Sequence, residues 1–477
     1  MANDSISLDS ITKRSEDFGR WYTDVVKNAE LIDYSSVRGC IILRPYGYAI
    51  WENIQKIMDG MFKETGHENV YMPLLIPESL LNKEKDHVEG FAPEVAWVTH
   101  GGSELLSERL CIRPTSETLF CDHYSRIVHS YRDLPKLYNQ WCSVVRWEKS
   151  TRPFLRSREF LWQEGHTLHE TEEEAVAETM QMLGIYRKVC EEYLSIPVIA
   201  GRKTDSEKFA GAEATYSVEA MMHDGRALQS GTSHYFGDMF AKAFDIQFTD
   251  RQNRICHPFQ TSWGVSTRII GAIIMTHGDD RGLVLPPAVA PVQVIIVPIA
   301  PHREGVTEAV EELKEKLQSQ FRVKVDNSEN SPGWKFSQYE MKGVPIRIEI
   351  GPRDIQNGSC VLVRRDTQQK ITVATEGIVE AVACEMKALE ENLFANALKN
   401  RQEHTYECSD YESLKEASKL PGFFKAMWCG SSECEEKLKE ELDISSRNIP
   451  FEEDNLSSHC VYCGKEAKHM VYWGKAY

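Results

Sequence analysis

The sequence predicts a multidomain protein of the α/β class, and three observations lead to this prediction. The chain has 477 residues, more than one hydrophobic core usually organises, which indicates two to four domains. Between residues 292 and 350, apolar strands alternate with helical patterns, which is typical of a small α/β domain with a parallel or mixed sheet. Two close cysteine pairs near the C-terminus indicate a further small domain that holds a metal ion.

Composition and charge narrow the classes of function. Hydrophobic residues make up 42% and charged residues 27% of the chain, as in ordinary soluble proteins. A net charge of -17 argues against broad, non-specific binding of nucleic acid, although a local basic patch would suffice for RNA. The polar start of the chain does not have the pattern of a signal peptide, and prolines interrupt the most apolar run, residues 283–300. We therefore expect a cytoplasmic protein with reduced cysteines that does not enter a membrane.

The first 73 residues predict alternating helices and strands. Aromatic and aliphatic residues at helical spacing predict a helix within residues 11–33. An apolar strand at residues 39–43 runs into a Pro/Gly turn, and a second helix is predicted over residues 50–62. A strand over residues 70–72 ends before Pro73.

The segment Arg113-Pro-Thr-Ser-Glu-Thr precedes a helix predicted over residues 118–128. One interpretation is structural: Thr115 or Ser116 caps the helix, and the acid in its first turn favours the helix dipole. The other is functional: Thr115 and Glu117 accept hydrogen bonds from a substrate ammonium group. Both roles are compatible.

Residues 144–166, VVRWEKSTRPFLRSREFLWQEGH, form the most informative stretch. Apolar residues at both ends predict two strands of a hairpin, with the turn at Ser-Thr-Arg-Pro. The stretch combines four arginines with two tryptophans and Phe160, which is unusual for an exposed hairpin. Because guanidinium groups match phosphate and carboxylate oxygens and stack on purines, the stretch indicates a site for a nucleotide and a carboxylate.

Two later stretches contain further binding residues. In the first, residues 207–237, small residues surround Phe209, Gln229, Thr232 and His234, which would allow a ligand to approach the backbone closely. In the second, residues 262–283, the end of a strand, Arg268 and an apolar helix follow one another.

These motifs carry a family resemblance. Arg146-x-Glu148, a loop and Arg156-x-x-Glu-Phe160 resemble motif 2 of the class II aminoacyl-tRNA synthetases, and FLRSREFLWQEGH resembles the prolyl-tRNA synthetases. Residues 39–73 resemble motif 1, and residues 262–282 resemble motif 3. Thr115-x-Glu117 resembles the loop with which prolyl enzymes hold the imino nitrogen. One strand departs from the relatives, with Ala214-Thr-Tyr-Ser-Val-Glu219 in place of Tyr-Thr-Thr-Thr-Ile-Glu.

The resemblance implies ATP-dependent activation of L-proline and its transfer to tRNA(Pro), with Mg²⁺ accompanying ATP. Arg146 and Arg268 would be the catalytic residues. The implied proline site contains Thr115, Glu117, Arg146, Trp162, Glu164, His166, Phe209 and His234. The implied ATP site contains Arg146, Glu148, Arg156, Ser157, Phe160, Gln229, Thr232, Ser266 and Arg268, with the adenine between Phe160 and Arg268.

The resemblance also orders the domains. It implies an antiparallel-sheet class II catalytic domain over residues 1–286, an α/β anticodon-binding domain over residues 287–400 and a small α+β zinc-binding domain over residues 401–477. In the second, exposed Glu340, Arg347 and Arg353 would contact bases of a single-stranded RNA loop. The type is the archaeal and eukaryote-like one, without an editing insertion between motifs 2 and 3, and motif 1 implies a homodimer.

The zinc prediction also follows from spacing alone. Cys429-x4-Cys434 and Cys460-x2-Cys463 supply four thiolates, which fill a tetrahedral coordination sphere and so indicate a structural Zn²⁺. The terminal Tyr477 resembles a tyrosine that folds back toward the active site in the prolyl subgroup with this domain.

Two alternatives to a proline enzyme remain. The chain could be a class II synthetase of another specificity, such as threonine or glycine, or an inactive paralogue that acts as an RNA-binding or regulatory module. Intact Arg146, Glu148, Phe160 and Arg268 argue against the inactive paralogue.

Overall fold

The computed structural model describes residues 11–85 and 94–477. The polar start of the chain, residues 1–10, lies outside the described residues. We refer to residues up to 286 as the N-terminal domain, to 287–400 as the middle domain and to 401–477 as the C-terminal domain.

The N-terminal domain combines seven helices with fourteen strands in its described part. The helices are α1 Phe18–Asn28, α2 Pro45–Glu64, α3 Glu78–Lys85, α4 Glu117–Ile127, α5 Glu172–Lys188, α6 Met239–Ala243 and α7 Arg268–His277. The strands are β1 Ile32–Tyr34, β2 Ile41–Leu43, β3 Glu68–Asn69, β4 Leu75–Pro77, β5 Trp97–Gly101, β6 Glu104–Ile112, β7 Lys136–Val145, β8 Glu159–His169, β9 Val198–Arg202, β10 Ala214–Met221, β11 Ala227–Gly237, β12 Phe248–Thr249, β13 Ile255–Cys256 and β14 Phe259–Ser266.

The central sheet of this domain runs in the order β9-β10-β11-β14-β8-β7-β3. Its strands are antiparallel except for β3, which pairs parallel to β7, so the predicted antiparallel sheet is confirmed. One face packs against α5: the Tyr186 hydroxyl donates to Gln163 on β8, and the Ser233 hydroxyl of β11 donates to the carbonyl of Thr179. The opposite face is therefore the one open to a ligand.

The start of the chain differs from the prediction in one element. The expected strand at residues 70–72 is wrong, because pairing with β7 ends at Asn69. The Val70 N–H still donates to the Asn139 carbonyl, but the Met72 N–H donates to the side chain of Gln140, so the chain leaves the sheet. Helix α2 begins earlier than predicted, at Pro45, where the missing N–H of proline has no helical partner to lose.

The middle domain is an α/β unit with a mixed sheet, as predicted. Its helices are α8 Val306–Leu317, α9 Pro332–Met341, α10 Pro352–Gln356 and α11 Ile378–Glu403, and its strands are β15 Val294–Pro298, β16 Val323–Val325, β17 Ile346–Ile350, β18 Ser359–Arg364 and β19 Lys370–Ala374. The sheet order is β16-β15-β17-β18-β19, with the first three strands parallel and the last two antiparallel.

The C-terminal domain extends the sheet of the N-terminal domain. Its helices are α12 Tyr411–Ala417 and α13 Ser432–Leu442, and its strands are β20 Thr405–Cys408, β21 Phe423–Trp428, β22 Ser445–Pro450 and β23 His469–Gly474. Strand β22 pairs with β9 through Ile449 and Pro450, which gives one continuous sheet of eleven strands. Glycine at position 201 permits this approach, because a Cβ there would lie 2.2 Å from the Ile449 carbonyl oxygen.

A buried ionic network joins the N-terminal and middle domains. Glu340 accepts hydrogen bonds from Arg281 at 3.1 Å and from Arg347 at 2.9 Å, and Arg365 binds Asp279 at 2.6 Å. Glu340 and Arg347 are each only 7% exposed. The prediction that these two residues are exposed for RNA is therefore wrong: their charges neutralise each other at a domain interface, whereas Arg353 is exposed, as predicted.

Candidate active site

A cavity of about 260 Å³ opens on the face of the central sheet opposite α5. Most of the predicted substrate residues line it: Thr115, Glu117, Arg146, Phe160, Trp162, Glu164, Phe209, Gln229, Thr232, His234, Ser266 and Arg268. The structure therefore brings both predicted substrate sites into one space.

Strand alternation explains this convergence. Phe160, Trp162, Glu164 and His166 are alternate residues of β8 and so lie on the same face of the sheet. The register places His166 beside Ser262 of β14, and Ser262 beside His234 of β11. Residues from distant parts of the sequence thus become neighbours across three strands.

Arg146 directly follows the end of β7, and its side chain lines the cavity. Its Nε donates to the Pro114 carbonyl at 3.1 Å, and its guanidinium lies 5.5 Å from the Phe160 ring centroid and 5.4 Å from that of Trp162. Burial lowers the pKa of Arg146, and the charges of Glu117, Glu164 and Glu148 counteract this effect. Its remaining donors are available to an anion in the cavity.

Arg268 begins α7 on another side of the cavity. Its Nε donates to the Leu155 carbonyl at 3.2 Å, which ties it to the loop between β7 and β8. Burial lowers the pKa of Arg268, and the positive charges of Arg146 and Arg156 lower it further. Two guanidinium groups that line a cavity, with a third close to Arg268, favour the binding of a polyanion such as a triphosphate.

A carboxylate network lies beside Arg146 in the same cavity. The Thr115 hydroxyl donates to Glu117, and the Ser116 hydroxyl and the Gln140 amide donate to Glu164. The helix-capping interpretation of Thr115 and Ser116 is therefore wrong: Ser116 occupies the N-cap of α4, but its hydroxyl bonds to Glu164 instead of the helix backbone.

The two carboxyl groups of this network have opposite pKa shifts. Burial raises the pKa of Glu117, and the charge of Glu164 adds to the effect. Burial acts in the same direction on Glu164, but hydrogen bonds from His166, Ser116 and Gln140, together with the charge of His166, hold its pKa below the ordinary value. Glu164 is thus ionised and saturated with donors, whereas Glu117 is the carboxyl group that a substrate cation would most stabilise.

Phe209 and His234 form an uncharged, aromatic corner of the cavity. The Phe209 ring lies 4.9 Å from the His234 ring, and His234 Nδ1 is 3.0 Å from the Thr215 hydroxyl. Burial lowers the pKa of His234 to about 3, so this imidazole is uncharged at neutral pH. Such a corner suits a small aliphatic group beside an ammonium.

Trp162 is held in place from beneath by β7. Its indole N–H donates to the sulfur of Cys142 at 3.2 Å, and burial raises the pKa of that thiol to about 12. The thiol therefore stays protonated at neutral pH, and its sulfur accepts the hydrogen bond that orients the Trp162 ring.

Four predicted residues lie outside the cavity lining: Glu148, Arg156, Ser157 and His166. His166 acts through Glu164, with 2.9 Å between Nε2 and the carboxylate, and its ring stacks on Phe120. Arg156 and Glu148 are close enough to Arg268 to shift its pKa, whereas Ser157 is buried.

Several lining residues escaped the sequence interpretation, among them Glu207, Lys208, Thr215, Ser262 and Trp263. Glu207 and Lys208 directly precede Phe209, a predicted site residue, so their position in the sequence could have identified them as lining residues. Within residues 214–219, Thr215 lines the cavity, whereas the Tyr216 ring stacks on that of Phe451 in the C-terminal domain, with 6.0 Å between centroids.

The predicted metal ligands form a cluster in the C-terminal domain. The sulfur of Cys429 lies 3.7 Å from those of Cys434 and Cys463, and the ligand atoms of all four cysteines lie within 4.8 Å of one another. A disulfide requires about 2.05 Å between sulfurs, whereas zinc–sulfur bonds of about 2.3 Å separate tetrahedral sulfurs by about 3.8 Å. The geometry fits a tetrahedral metal site.

The terminal residues dock on the N-terminal domain. The Ala227 N–H donates to the Lys475 carbonyl at 2.7 Å, and the Tyr477 N–H donates to the Ala227 carbonyl at 3.1 Å. The Tyr477 hydroxyl donates to Asp224. The tail is thus bonded to the start of β11, the strand that carries Gln229, Thr232 and His234.

Models of known families match three parts of the chain. Residues 98–277 match the tRNA synthetase class II core domain (G, H, P, S and T), and residues 293–385 match the anticodon binding domain. Residues 411–477 match the C-terminal domain of prolyl-tRNA synthetase. The three matches follow the order of the three domains in the fold.

Whole-chain relatives agree with these matches. The chain is 63% identical to the proline–tRNA ligase of Ruminiclostridium cellulolyticum, over 100% of both chains. It is 64% identical to proline–tRNA ligase 2 of Bacillus cereus, over 98% of this chain and 99% of the relative. The crystal structure of prolyl-tRNA synthetase from Cryptosporidium parvum, complexed with halofuginone and AMPPNP, has a TM-score of 0.95 and 39% identity, covering 99% of this chain and 100% of that chain.

Proposed function

The chain belongs to the class II prolyl-tRNA synthetases, and we propose that its cavity activates L-proline with ATP and transfers the prolyl group to tRNA(Pro). One observation carries the proposal: the cavity combines the guanidinium groups of Arg146 and Arg268 with the buried carboxyl group of Glu117, and Arg156 lies close to Arg268. An amino acid has an ammonium and a carboxylate, and the arrangement would hold the first against Glu117 and the second against Arg146.

The proposed proline site uses the network around Glu117. Thr115 and Glu117 would accept hydrogen bonds from the imino group, and Glu164, oriented by His166, would fix the pocket behind them. Trp162, Phe209 and His234 would surround the ring of proline. Aromatic and neutral walls favour an aliphatic ring over a charged side chain.

The proposed ATP site uses the arginines and the neighbouring strand ends. The adenine would lie between Phe160 and Arg268, because aromatic faces and guanidinium planes both stack on purines. Arg156 and the backbone around Ser157 would face the phosphates, with Glu148 toward the adenine. Gln229, Thr232 and Ser266 supply directional polar groups along the cavity for the rest of the nucleotide.

The chemistry requires no enzyme nucleophile. A carboxylate oxygen of proline attacks the α-phosphorus of ATP, the bond from that phosphorus to the bridging oxygen breaks, and pyrophosphate leaves. A terminal ribose hydroxyl of tRNA then attacks the prolyl carbonyl and AMP leaves. Arg146 would contribute by holding the carboxylate and the α-phosphate together, where negative charge accumulates in the transition state.

Mg²⁺ would accompany ATP, with phosphate oxygens as most of its ligands. When bound, it neutralises the charge of the departing pyrophosphate. Such sites need only one or two protein carboxylates, and Glu207 on the cavity wall would be available as one.

We assign the chain to the archaeal and eukaryote-like type without an editing insertion. Residues 170–258, between motifs 2 and 3, form α5, β9, β10, β11, α6 and a two-stranded hairpin. These elements build or cover the central sheet, and this segment contains no separate domain. The match to a eukaryotic synthetase along nearly its whole length supports the assignment.

A structural Zn²⁺ would occupy the cluster of Cys429, Cys434, Cys460 and Cys463. Four thiolates complete a tetrahedral sphere, so the ion would stabilise the domain and take no part in the reaction. Metal analysis of the purified protein should give about one zinc per chain, and Cys463→Ser should lower that ratio.

Assembly as a homodimer is supported by exposed apolar residues in motif 1 and just before it. Tyr34, Val37, Ile42 and Tyr71 are between 51% and 71% exposed. Light scattering of the wild-type protein should give twice the chain mass, and Ile42→Asp should give the monomer mass.

For the middle domain we propose anticodon recognition by the exposed Arg353. Glu340 and Arg347 would contribute from the interior of the domain, where Arg347 pairs with Glu340 and lies 4.1 Å from the Phe336 ring centroid. No helix in the described part of the chain is both long and apolar enough to cross a membrane. A cytoplasmic location is part of the proposal.

Aminoacylation with each of the twenty amino acids tests the function. We expect tRNA(Pro) to be charged with proline and ATP–pyrophosphate exchange to depend on proline. Exchange driven by threonine or glycine would indicate another class II specificity. Tight tRNA binding without exchange would indicate an inactive RNA-binding paralogue.

A further inference from the structure

The loop between β9 and β10 forms one wall of the cavity. Glu207, Lys208 and Phe209 all line the space, and they lie in irregular backbone. A loop of this kind costs conformational entropy when it is ordered around a ligand, unless other contacts hold it in place beforehand. Its anchors therefore influence how tightly the cavity binds a substrate.

The inner end of the loop is bonded to the cavity floor. The Phe209 N–H donates to the Thr215 hydroxyl at 3.0 Å, and Thr215 is the residue that contacts His234. This anchor belongs to the N-terminal domain. It fixes the aromatic ring that faces the substrate.

The outer end is held by the C-terminal domain. Glu435 accepts hydrogen bonds from the hydroxyls of Thr204, at 2.8 Å, and Ser206, and a third from Ser446 of β22. Glu435 is only 5% exposed, and both of its oxygens are used. Hydrogen bonds from hydroxyls to a buried carboxylate are stronger than those between neutral groups, so this contact is a clamp on the loop.

A second contact from the same domain fixes the start of the loop. Lys203 donates to Glu219 at 2.7 Å and to the backbone carbonyl of Arg447 at 2.6 Å. Both anchors at the outer end thus come from the C-terminal domain. Moreover, Glu435 follows Cys434 directly in the first turn of α13, so the clamp lies next to the cysteine cluster.

We propose that Glu435 is a positioning residue for proline binding: from outside the cavity it holds the loop that carries Glu207, Lys208 and Phe209 against the substrate. The inference rests on the proposed function for the identity of the substrate. It gives the C-terminal domain a role in the affinity of the active site, although none of the residues lining the cavity belongs to that domain.

The test compares Glu435→Gln with Glu433→Gln. Both residues are acids in the first turn of α13, so both changes remove the same charge from the helix start, but Glu433 is exposed. In ATP–pyrophosphate exchange we expect Glu435→Gln to raise the KM for proline about tenfold and to leave kcat within about twofold. Glu433→Gln should match the wild type. An unchanged KM in Glu435→Gln overturns the inference.

Limited trypsin digestion without substrates reports on the loop directly. Cleavage after Lys208, identified by mass spectrometry, should be several-fold faster in Glu435→Gln than in Glu433→Gln, at equal melting temperatures. Equal cleavage of the two variants also overturns the inference. Failure of the wild type to exchange with proline would instead contradict the proposed function, which the digestion does not depend on.

A milder change guards against misfolding of the first variant. Ser206→Ala removes a single hydroxyl from the loop and should raise the proline KM about threefold. Added to Glu435→Gln it should have no further effect, because its partner is already changed. A full, additive effect in the double variant would contradict the clamp.

Discussion

Two arginine-rich regions of this protein look alike in sequence and differ in structure. At the domain interface, Arg281, Arg347 and Arg365 each bind a carboxylate at 3.1 Å or less. In the cavity, the Nε atoms of Arg146 and Arg268 donate to backbone carbonyls. In the described part of the chain, neither of these two guanidinium groups forms a hydrogen bond or an ion pair with a carboxylate. Unpaired arginines that face one another indicate a place for a ligand, and paired arginines indicate structure.

The difference also explains why exposure was predicted wrongly for Glu340 and Arg347. Both lie in a charged segment, Glu340 in α9 and Arg347 in β17, and the sequence of such a segment suggests exposure to solvent. Here the N-terminal domain contributes Arg281 and Asp279 to the same network. Whether a charged residue stabilises the fold or binds a ligand therefore depends on whether another residue of the protein pairs with it.

The largest expected effect is that of Arg146→Ala. Removing a cation that acts on transition-state charge should lower proline-dependent ATP–pyrophosphate exchange by about 10²- to 10³-fold, with the melting temperature unchanged. Arg281→Ala is the matched change in the paired region and should retain most of the exchange. Near-normal exchange by Arg146→Ala would remove the distinction between the two regions.

The next effect is on stability and concerns Arg347→Met. This change leaves Glu340 buried with one partner fewer, and breaking a buried ion pair costs about 3–5 kcal/mol. Urea denaturation should therefore show a large loss, whereas Arg353→Met, at an exposed position, should change the free energy of unfolding by less than about 0.5 kcal/mol. Equal stability of the two variants would mean that the network contributes little.

The smallest effect is on the pH dependence of proline binding. Burial raises the pKa of Glu117, and only the ionised carboxylate attracts the ammonium of proline. Binding is therefore strong above this pKa and is lost as the pH falls through it, at a higher pH than for an ordinary glutamate. The KM for proline should rise about tenfold per pH unit below that point. In Glu117→Gln this dependence should disappear, which separates Glu117 from His166 and Glu164 nearby.

Much of the site was predictable from local sequence patterns. In β8, strand alternation places Phe160, Trp162, Glu164 and His166 on one face. The sequence predicted these residues and Arg268 through motifs that resemble those of the class II synthetases. Such motifs are short, so they can be recognised without knowing the rest of the fold.

The remaining features depend on contacts between distant segments. Nothing in the sequence around Ser116 indicates that its hydroxyl would bond to Glu164, 48 residues away, instead of capping a helix. Likewise, the sequence around Glu435 resembles an ordinary acidic helix start. Its partners, Thr204 and Ser206, come from another domain and appear only when β22 joins β9.

That junction has a practical consequence for anyone dividing the protein into pieces. Removing residues 401–477 would uncover the outer backbone of β9 at Gly201 and Arg202, which β22 now satisfies. An exposed edge strand has unpaired N–H and C=O groups that can pair with another chain, so we expect the shortened protein to self-associate. Functional dissection is better done by point substitution, with the full length retained.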